Sequence, residues 1–217
     1  NPRKIAVVTY KELRELAYMG ANVFHEEAMF PVKEAGIETR ILNTNEPGDP
    51  GTSIVLDRKQ MENEPIIVGV AGGRDFSIIS VEKAMMNQEV GFVRKVLTIL
   101  ETHKISWQHM PSGIDVVNIV LEEKELEGKA DAVIREIKTE CAPDKIEVYP
   151  HLSMIAVVGF EIGYIPGVAA QVCGAVAKEN INIRMINQSS SELSIIIGVD
   201  NADCDNAIRA IYNTFVK

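Results

Sequence analysis

Basic residues are in short supply. The chain carries 22 Lys and Arg against 31 Asp and Glu, a formal net charge of −9. A nucleic-acid surface needs clustered cations to neutralise phosphates, so this balance argues against such a partner. Aromatics are scarce as well, at 6%, which leaves a base-stacking RNA sheet little to be built from. The three cysteines, Cys141, Cys173 and Cys204, form neither a C-x-x-C pair nor a disulfide framework. They read as reduced thiols of a cytoplasmic protein and imply no metal site. No apolar run approaches the ~20 residues of a membrane helix, and no signal peptide opens the chain. Catalytic motifs are missing too: there is no G-x-S-x-G, no G-x-x-x-x-G-K-[ST], and His25, His103, His109 and His151 are scattered. The chain begins with Asn rather than Met, and it is expected to be a piece of something longer.

What is present is apolar material, 46% of the residues, arranged twice over. Sliding the sequence on itself by 76 residues places Gly91 on Gly167, Val96 on Val172, Ile105 on Ile181, Ser106 on Asn182, Trp107 on Ile183, Val117 on Leu193 and Ile119 on Ile195 without a gap. So long a period means a duplicated module rather than a solenoid. Each copy reads as a strand ("FSIISVEK", "LSMIAVVG"), a bend, a helix opened at Gly91 or Gly167, a strand, a turn, a strand and a second helix. The first helices carry apolar stripes at Val93, Val96, Leu97 and Leu100, and at Val168, Val172, Cys173 and Val176. With a further strand at "KIEVYP", this is the α+β, ferredoxin-like split βαβ plan. "IIVGVAG" is a short buried strand, and Gly72 and Gly73 read as a turn between two strands.

Residues before about Leu56 differ. In "TYKELRELAYMG", Thr9 and Glu12 have capping-box spacing, and Leu13, Leu16 and Ala17 share a helical face. A second helix over "HEEAMFPVKEAG" is expected to break or kink at Pro31. "IETRIL" alternates like a strand and "NTNEPGDPGT" is a loop. Two helices and one or two strands cannot bury a core alone, so this segment is the edge of an α/β domain.

The feature that recurs is a bend ending in Gly91 or Gly167, opposite the start of the next strand at Ser106 or Asn182. A helix N-terminus offers unpaired N–H groups to a carboxylate. Ser106, Gln108, Ser112, Asn182, Gln188 and Ser190 supply partners for an ammonium or hydroxyl. Together they suit a free amino acid. The alternative is structural: Gly opens the helix and Ser or Asn caps it.

These residues also resemble a known family. "TYKELRELAYMGANVFHEEAMFPVKEAGIETRILNTNEPGDPGTSIV" is similar to the end of the aspartokinase catalytic domain, and the repeats resemble the paired ACT domains that follow it there. The resemblance implies an incomplete kinase segment over 1–58, a first ACT unit over 65–145 and a second over 146–217, interleaved so that strand 66–71 completes the second. It implies MgATP-dependent phosphorylation of aspartate by the parent enzyme. No catalytic residue is expected in this chain, which lacks the family's K-F-G-G motif. On the nucleotide side only the loop from Asn43 to Gly51 remains, with Asn45 or Glu46 where some relatives carry a lysine.

The lysine-responsive pattern, carried over, implies effector contacts at Met86, Gly91, Phe92, Val93, Ser106 and Trp107. Gln108 stands where that pattern has an aspartate for the effector's amine. Asp115 either supplies the missing negative charge or is a solvated turn residue capping Ser112 or Gly113. The implied effector is lysine, with threonine or both as the alternative, bound at seams of a homodimer. A free-standing ACT-type regulator and a plain dimerisation module are the competing functions.

Overall fold

A computed structural model describes residues 3–21, 26–57, 65–188 and 193–216. His25 and Ser190, named above, lie outside them. The strands are β1 (Val7–Thr9), β2 (Thr39–Ile41), β3 (Thr52–Val55), β4 (Gly69–Glu82), β5 (Val116–Glu122), β6 (Lys145–Val158), β7 (Met185–Gln188) and β8 (Ser194–Asp200). The helices are α1 (Tyr10–Tyr18), α2 (Glu26–Glu34), α3 (Phe92–Thr102), the short α4 (Glu123–Leu126), α5 (Ala130–Cys141), α6 (Val168–Lys178) and α7 (Cys204–Phe215). The chain divides into one body of residues 74–153 and another of residues 1–73 and 154–217. We call them the inner and outer bodies.

The inner body is one ferredoxin-like unit. Its sheet runs β6-β4-β5, extended beyond β5 by bridges from His109 to Val120 and from Ser112 to Val117. β4 and β5 are antiparallel, with Phe76 opposite Glu122 and Glu82 opposite Val116. Helices α3 and α5 cover one face and bury Phe92, Val96, Ile99, Leu100, Val133 and Ile137 against Ile79, Val81, Val117, Ile119 and Leu121. The buried stripe of α3 is thus turned from the expected one: Phe92 and Ile99 lie inside, while Val93 and Leu97 are only partly covered.

In the outer body the order β4-β6-β8-β7 repeats the plan, with α6 and α7 packing Val168, Val172, Ala175, Val176, Ala207 and Ile211 onto Ile155, Val157, Ile195, Ile197 and Val199. Burying each such valine or isoleucine is worth ~1.5–3 kcal/mol over exposure. Ala175 replaces Cys173 in the expected stripe, and Cys173 is half-buried.

β4 and β6 are each 14 residues long and correspond at the 76-residue period. The bond from Val68 N–H to Val158 C=O, 2.7 Å, has its counterpart from Asp144 N–H to Glu82 C=O, 2.9 Å. Left-handed residues recur at the same period: Asp75 (φ 62°) with His151 (φ 61°), Met85 (60°) with Glu161 (50°), Gly91 (85°) with Gly167 (87°), and Lys104 (54°) with Asn180 (57°). Non-glycine residues seldom adopt this region, so the duplication preserved the backbone path and not only the apolar pattern.

Two sequence expectations are corrected here. "IIVGVAG" and "FSIISVEK" share the continuous strand β4, and "KIEVYP" and "LSMIAVVG" share β6. Gly72 and Gly73 therefore form no turn. At Gly72 a Cβ would meet Ile208 Cδ1 at 2.7 Å, so this glycine serves close packing. The break in each strand is instead a single left-handed residue, Asp75 or His151, the mark of a bulge.

The segment before β4 forms a small sheet, β1-β3-β2, in which β1 pairs parallel and β2 antiparallel with β3. Thr9 and Glu12 close the capping box on α1: the Glu12 N–H donates to Thr9 Oγ1 at 3.2 Å and the Thr9 N–H to Glu12 Oε2 at 2.8 Å. Pro31 neither breaks nor ends α2, which runs on to Glu34. Val8, Tyr10, Leu13, Met29 and Ile54 form a core of their own with Val68 beside it. Ser194 on β8 donates to Glu15 on α1 at 2.8 Å.

Two glycines of the outer body should respond oppositely to alanine. A Cβ on Gly159 would lie 2.3 Å from both Ile66 O and Ile162 Cγ2, whereas one on Gly174, inside α6, meets nothing within 4 Å. Gly159→Ala is expected to cost about 1–3 kcal/mol by overpacking, and Gly174→Ala to gain about 0.5–1 kcal/mol by helix propensity. Urea unfolding of the two variants measures both.

Candidate functional site

Between β4 and α3 the chain makes a bend, Lys83 to Gly91, containing a 3-10 turn over Met86–Gln88. Carboxylates hold it in shape. Asp144 Oδ2 accepts the Ala84 N–H at 2.6 Å and Asp115 Oδ1 accepts the Met85 N–H at 2.9 Å. Asp115 thereby supports the left-handed Met85, a role unlike the capping of Ser112 or Gly113. Glu89 accepts from Lys83 at 2.6 Å and from Lys95 at 2.7 Å. Lys83 also donates to the Cys141 carbonyl at 2.7 Å and stands 5.3 Å over the Phe92 ring.

Of the expected contacts, Met86 and Phe92 are buried, Val93 is partly covered, and Gly91 is the left-handed residue before α3. The Phe92 N–H is engaged by Glu89 C=O at 3.1 Å, which removes it from the donors a ligand could use in this arrangement.

Ser106, Trp107 and Gln108 lie elsewhere. The Gln108 N–H donates to Val120 C=O at 2.7 Å, its Nε2 to Glu122 Oε1 at 3.3 Å, and the Ser106 N–H to Glu125 Oε2 at 3.2 Å. Gln108 Oε1 is buried without a hydrogen-bond partner. Trp107 is 45% exposed. Since Val120 pairs with Ile78 while the bend follows Glu82, which pairs with Val116, these residues sit at the opposite end of the sheet from the bend. At 3.3–3.4 Å per residue, the four positions from Val120 to Val116 amount to about 13 Å. The expected placement of Ser106 opposite the bend is therefore corrected: a parallel strand reached through a crossover helix starts at the far end of the sheet. Asp115 alone joins Met86, Gly91, Phe92 and Val93.

The second copy of the bend keeps the backbone path without the polar equipment. Gly159, Ile165 and Gln171 stand at the period positions of Lys83, Glu89 and Lys95. Ile162 is 1% exposed, and the Gly159 N–H donates to Leu193 C=O at 3.0 Å. Asn182 and Gln188 are exposed. Sequence reasoning missed Lys83, Glu89, Lys95, Asp144, Glu122 and Glu125. The one available signal was the loss of charge from the first bend to the second.

The loop after β2 is tied to itself and to the chain start. Asn45 N–H donates to Asn43 Oδ1 at 3.0 Å, Gly51 N–H to Asp49 Oδ1 at 2.6 Å, and Lys4 pairs with Asp49. The Lys4 contact holds the Asp49 carboxyl below its usual range. Among the described residues no cluster of three His, Cys, Asp or Glu could hold a metal, and no helix is long and apolar enough to cross a membrane.

Comparison with known proteins now adds a family. Residues 155–215 match the ACT domain model. The chain is 40% identical over 216 residues to Aspartokinase 3 of Bacillus subtilis, covering 99% of this chain and 47% of that protein. The chain is similar to the C-terminal half of aspartokinases. It superposes on the crystal structure of Clostridium acetobutylicum aspartate kinase with a TM-score of 0.93 at 50% identity, over 99% of this chain and 49% of that one. Escherichia coli aspartokinase III in complex with lysine and aspartate shares the fold, with a TM-score of 0.75 at 23% identity over 99% and 47%. The chain spans about half the length of these relatives, and it is their C-terminal part.

The charges at the bend give it a pH dependence. Lys83 first, then Lys95, hold the Glu89 carboxyl below its ordinary range. A depressed carboxyl contributes stability that is present above the ordinary glutamate value of ~4.3 and lost as pH falls through the lower folded value. Lowering the pH below ~4 should therefore reduce amide protection at Ala84–Gly91, measured against the intrinsic exchange rate at each pH, in the wild type. Glu89→Gln should show low protection there already at neutral pH and little further change in protection on acidification.

Proposed function

We propose that this chain is the effector-sensing region of an aspartate kinase, and that the intact protein phosphorylates the side-chain carboxylate of aspartate from MgATP. The observation that carries the sensing role is the divergence of the two bends. One backbone path was duplicated, yet the Lys83, Glu89 and Lys95 charges that meet beside the first helix N-terminus are Gly159, Ile165 and Gln171 in the second copy. We take residues 65–145, 146–217 and strand 66–71 as the two interleaved regulatory units, and residues 1–58 as the strip of catalytic domain. The loop at Asn43 and Asn45 belongs to the nucleotide side. Phosphoryl transfer needs cations clamping the phosphates, so this chain alone should form no aspartyl phosphate.

The ligand is a free amino acid, and we favour lysine over threonine. Its α-carboxylate meets the bend at Gly91, Phe92 and Val93, beside Met86. Ser106, Trp107 and Gln108, with Glu122 and Glu125 next to them, form an acceptor-rich end suited to an ammonium. Extended lysine spans only about 6 Å from Cα to Nζ over five zigzag bonds of ~1.5 Å, well short of the ~13 Å between the two ends. The site is therefore completed by a second copy, in a two-fold homodimer where each chain lends its bend to the other's strand end. A dimerisation module with no ligand predicts the same mass but no binding.

Isothermal titration with lysine and with threonine separates these readings. Gly91 and Gly167 are equally left-handed, so Gly91→Val and Gly167→Val should lose similar stability. Only Gly91→Val should weaken lysine binding, by at least about tenfold, or ~1.4 kcal/mol. Equal affinities for the two variants, or no heat with either amino acid, would overturn the sensing role. A monomeric mass in light scattering would overturn the shared site.

A further inference from the structure

Lys83 joins the bend to two helices through its ammonium. Its ammonium donates to Glu89 within the bend at 2.6 Å and to the carbonyl of Cys141, the last residue of α5, at 2.7 Å. It also lies 5.3 Å above the ring of Phe92, the first residue of α3. The side chain is 23% exposed, so these contacts form in a half-shielded setting where an ion pair is screened less than at the open surface. Lys95 differs. It shares Glu89 and has no such bond to α5 among those described.

The duplicated bend shows what this site looks like without the lysine. Gly159 holds the period position, and a Cβ there would strike Ile66 O at 2.3 Å. The space is filled by backbone, so that bend has no side chain at the position of Lys83. After Cys141 comes Ala142, left-handed at φ 44°, and then Asp144, which caps the bend through the Ala84 N–H and joins β6 to β4 through Glu82 C=O. The link from α5 into β6 is thus fastened to the bend at two points, Lys83 to Cys141 and Asp144 to Ala84.

We propose that Lys83 is the positioning residue of this bend, and that its bond to Cys141 passes a change at the bend to the α5–β6 connection. The second half of this statement rests on the bend being the effector site. The first half does not. A ligand that pulls on Glu89 or Phe92 shifts the Lys83 ammonium, and the Cys141 carbonyl must follow or lose its donor. The route is a contiguous hydrogen-bonded link between two named elements, and a measured response at the second element is what establishes coupling along it.

Hydrogen exchange on the whole 217-residue chain tests this, with and without saturating lysine. Lys83→Met should raise exchange about tenfold or more both at Ala84–Gly91 and at Ala142, Asp144 and Lys145. Lys83→Arg should stay within about threefold of wild type, because a guanidinium can still bridge a carboxylate and a carbonyl. Lys95→Met should raise exchange at Ala84–Gly91 alone. Added lysine should slow exchange at Ala142 and Asp144 in the wild type, and Glu89→Gln should abolish that distant effect even if Lys83→Met fails to fold. Unchanged exchange at Ala142 and Asp144 in Lys83→Met, or arginine and methionine behaving alike, overturns the positioning role. Persistence of the distant effect in Glu89→Gln overturns the coupling. If lysine does not bind the wild type, the effector reading falls, and the positioning role is still decided by the exchange of the unliganded variants.

Discussion

The backbone bond from Val68 to Val158, and its period counterpart from Asp144 to Glu82, are the constraint on which the rest depends. A ferredoxin-like unit is a four-stranded sheet, and its fourth strand lies beside its first. In this chain no strand is dedicated to that place. The first half of β4 supplies it in the outer body and the first half of β6 in the inner body, while the second halves open the next round of the plan. Neither body has a complete sheet without chain that continues into the other. Slipping either ladder by one residue would turn the buried rows, Ile79 and Val81 or Ile155 and Val157, to the opposite face.

That arrangement explains why left-handed residues survive at Asp75 and His151, where glycine would be easier. A strand that changes partners partway must change its twist there, and one left-handed residue allows this. It also explains the asymmetry of glycines. Gly159 is required because the chain entering β4 passes within van der Waals reach of it. The inner body has Lys83 at that position and reaches its neighbouring segment through a side chain. Once one copy had a side chain there, charge could accumulate around it, at Glu89 and Lys95. The other copy had no room to follow.

Much of this was legible in the residues. The 76-residue period, the split βαβ plan, the capping box at Thr9 and Glu12 and the helix starts at Gly91 and Gly167 all follow from spacing and side-chain chemistry. What was illegible had physical causes. Gly72–Gly73 read as a turn because glycine disfavours a ladder, yet at Gly72 close packing against Ile208 accommodates it. The left-handed turn of Asp75 and His151 leaves no sign in residue type. Lys83 and Glu89 look like solvated charges of a bend, since a sequence does not display which charges meet.

Ser106 is a different kind of miss, one that topology alone would have prevented. A helix between two parallel strands returns the chain to the end where the first strand began, so a residue at the start of the second strand cannot face the loop after the first. Gln108 and Glu122 are therefore neighbours for the same reason that Gln108 and Gly91 are not. A ligand of amino-acid size that needs both the donors of the bend and the acceptors at Gln108 calls for two chains, and one that needs only the bend can be held by one. The stoichiometry of binding is in this way tied to the parallel direction of a βαβ crossover, and the chemistry at each end decides only which ligand is chosen.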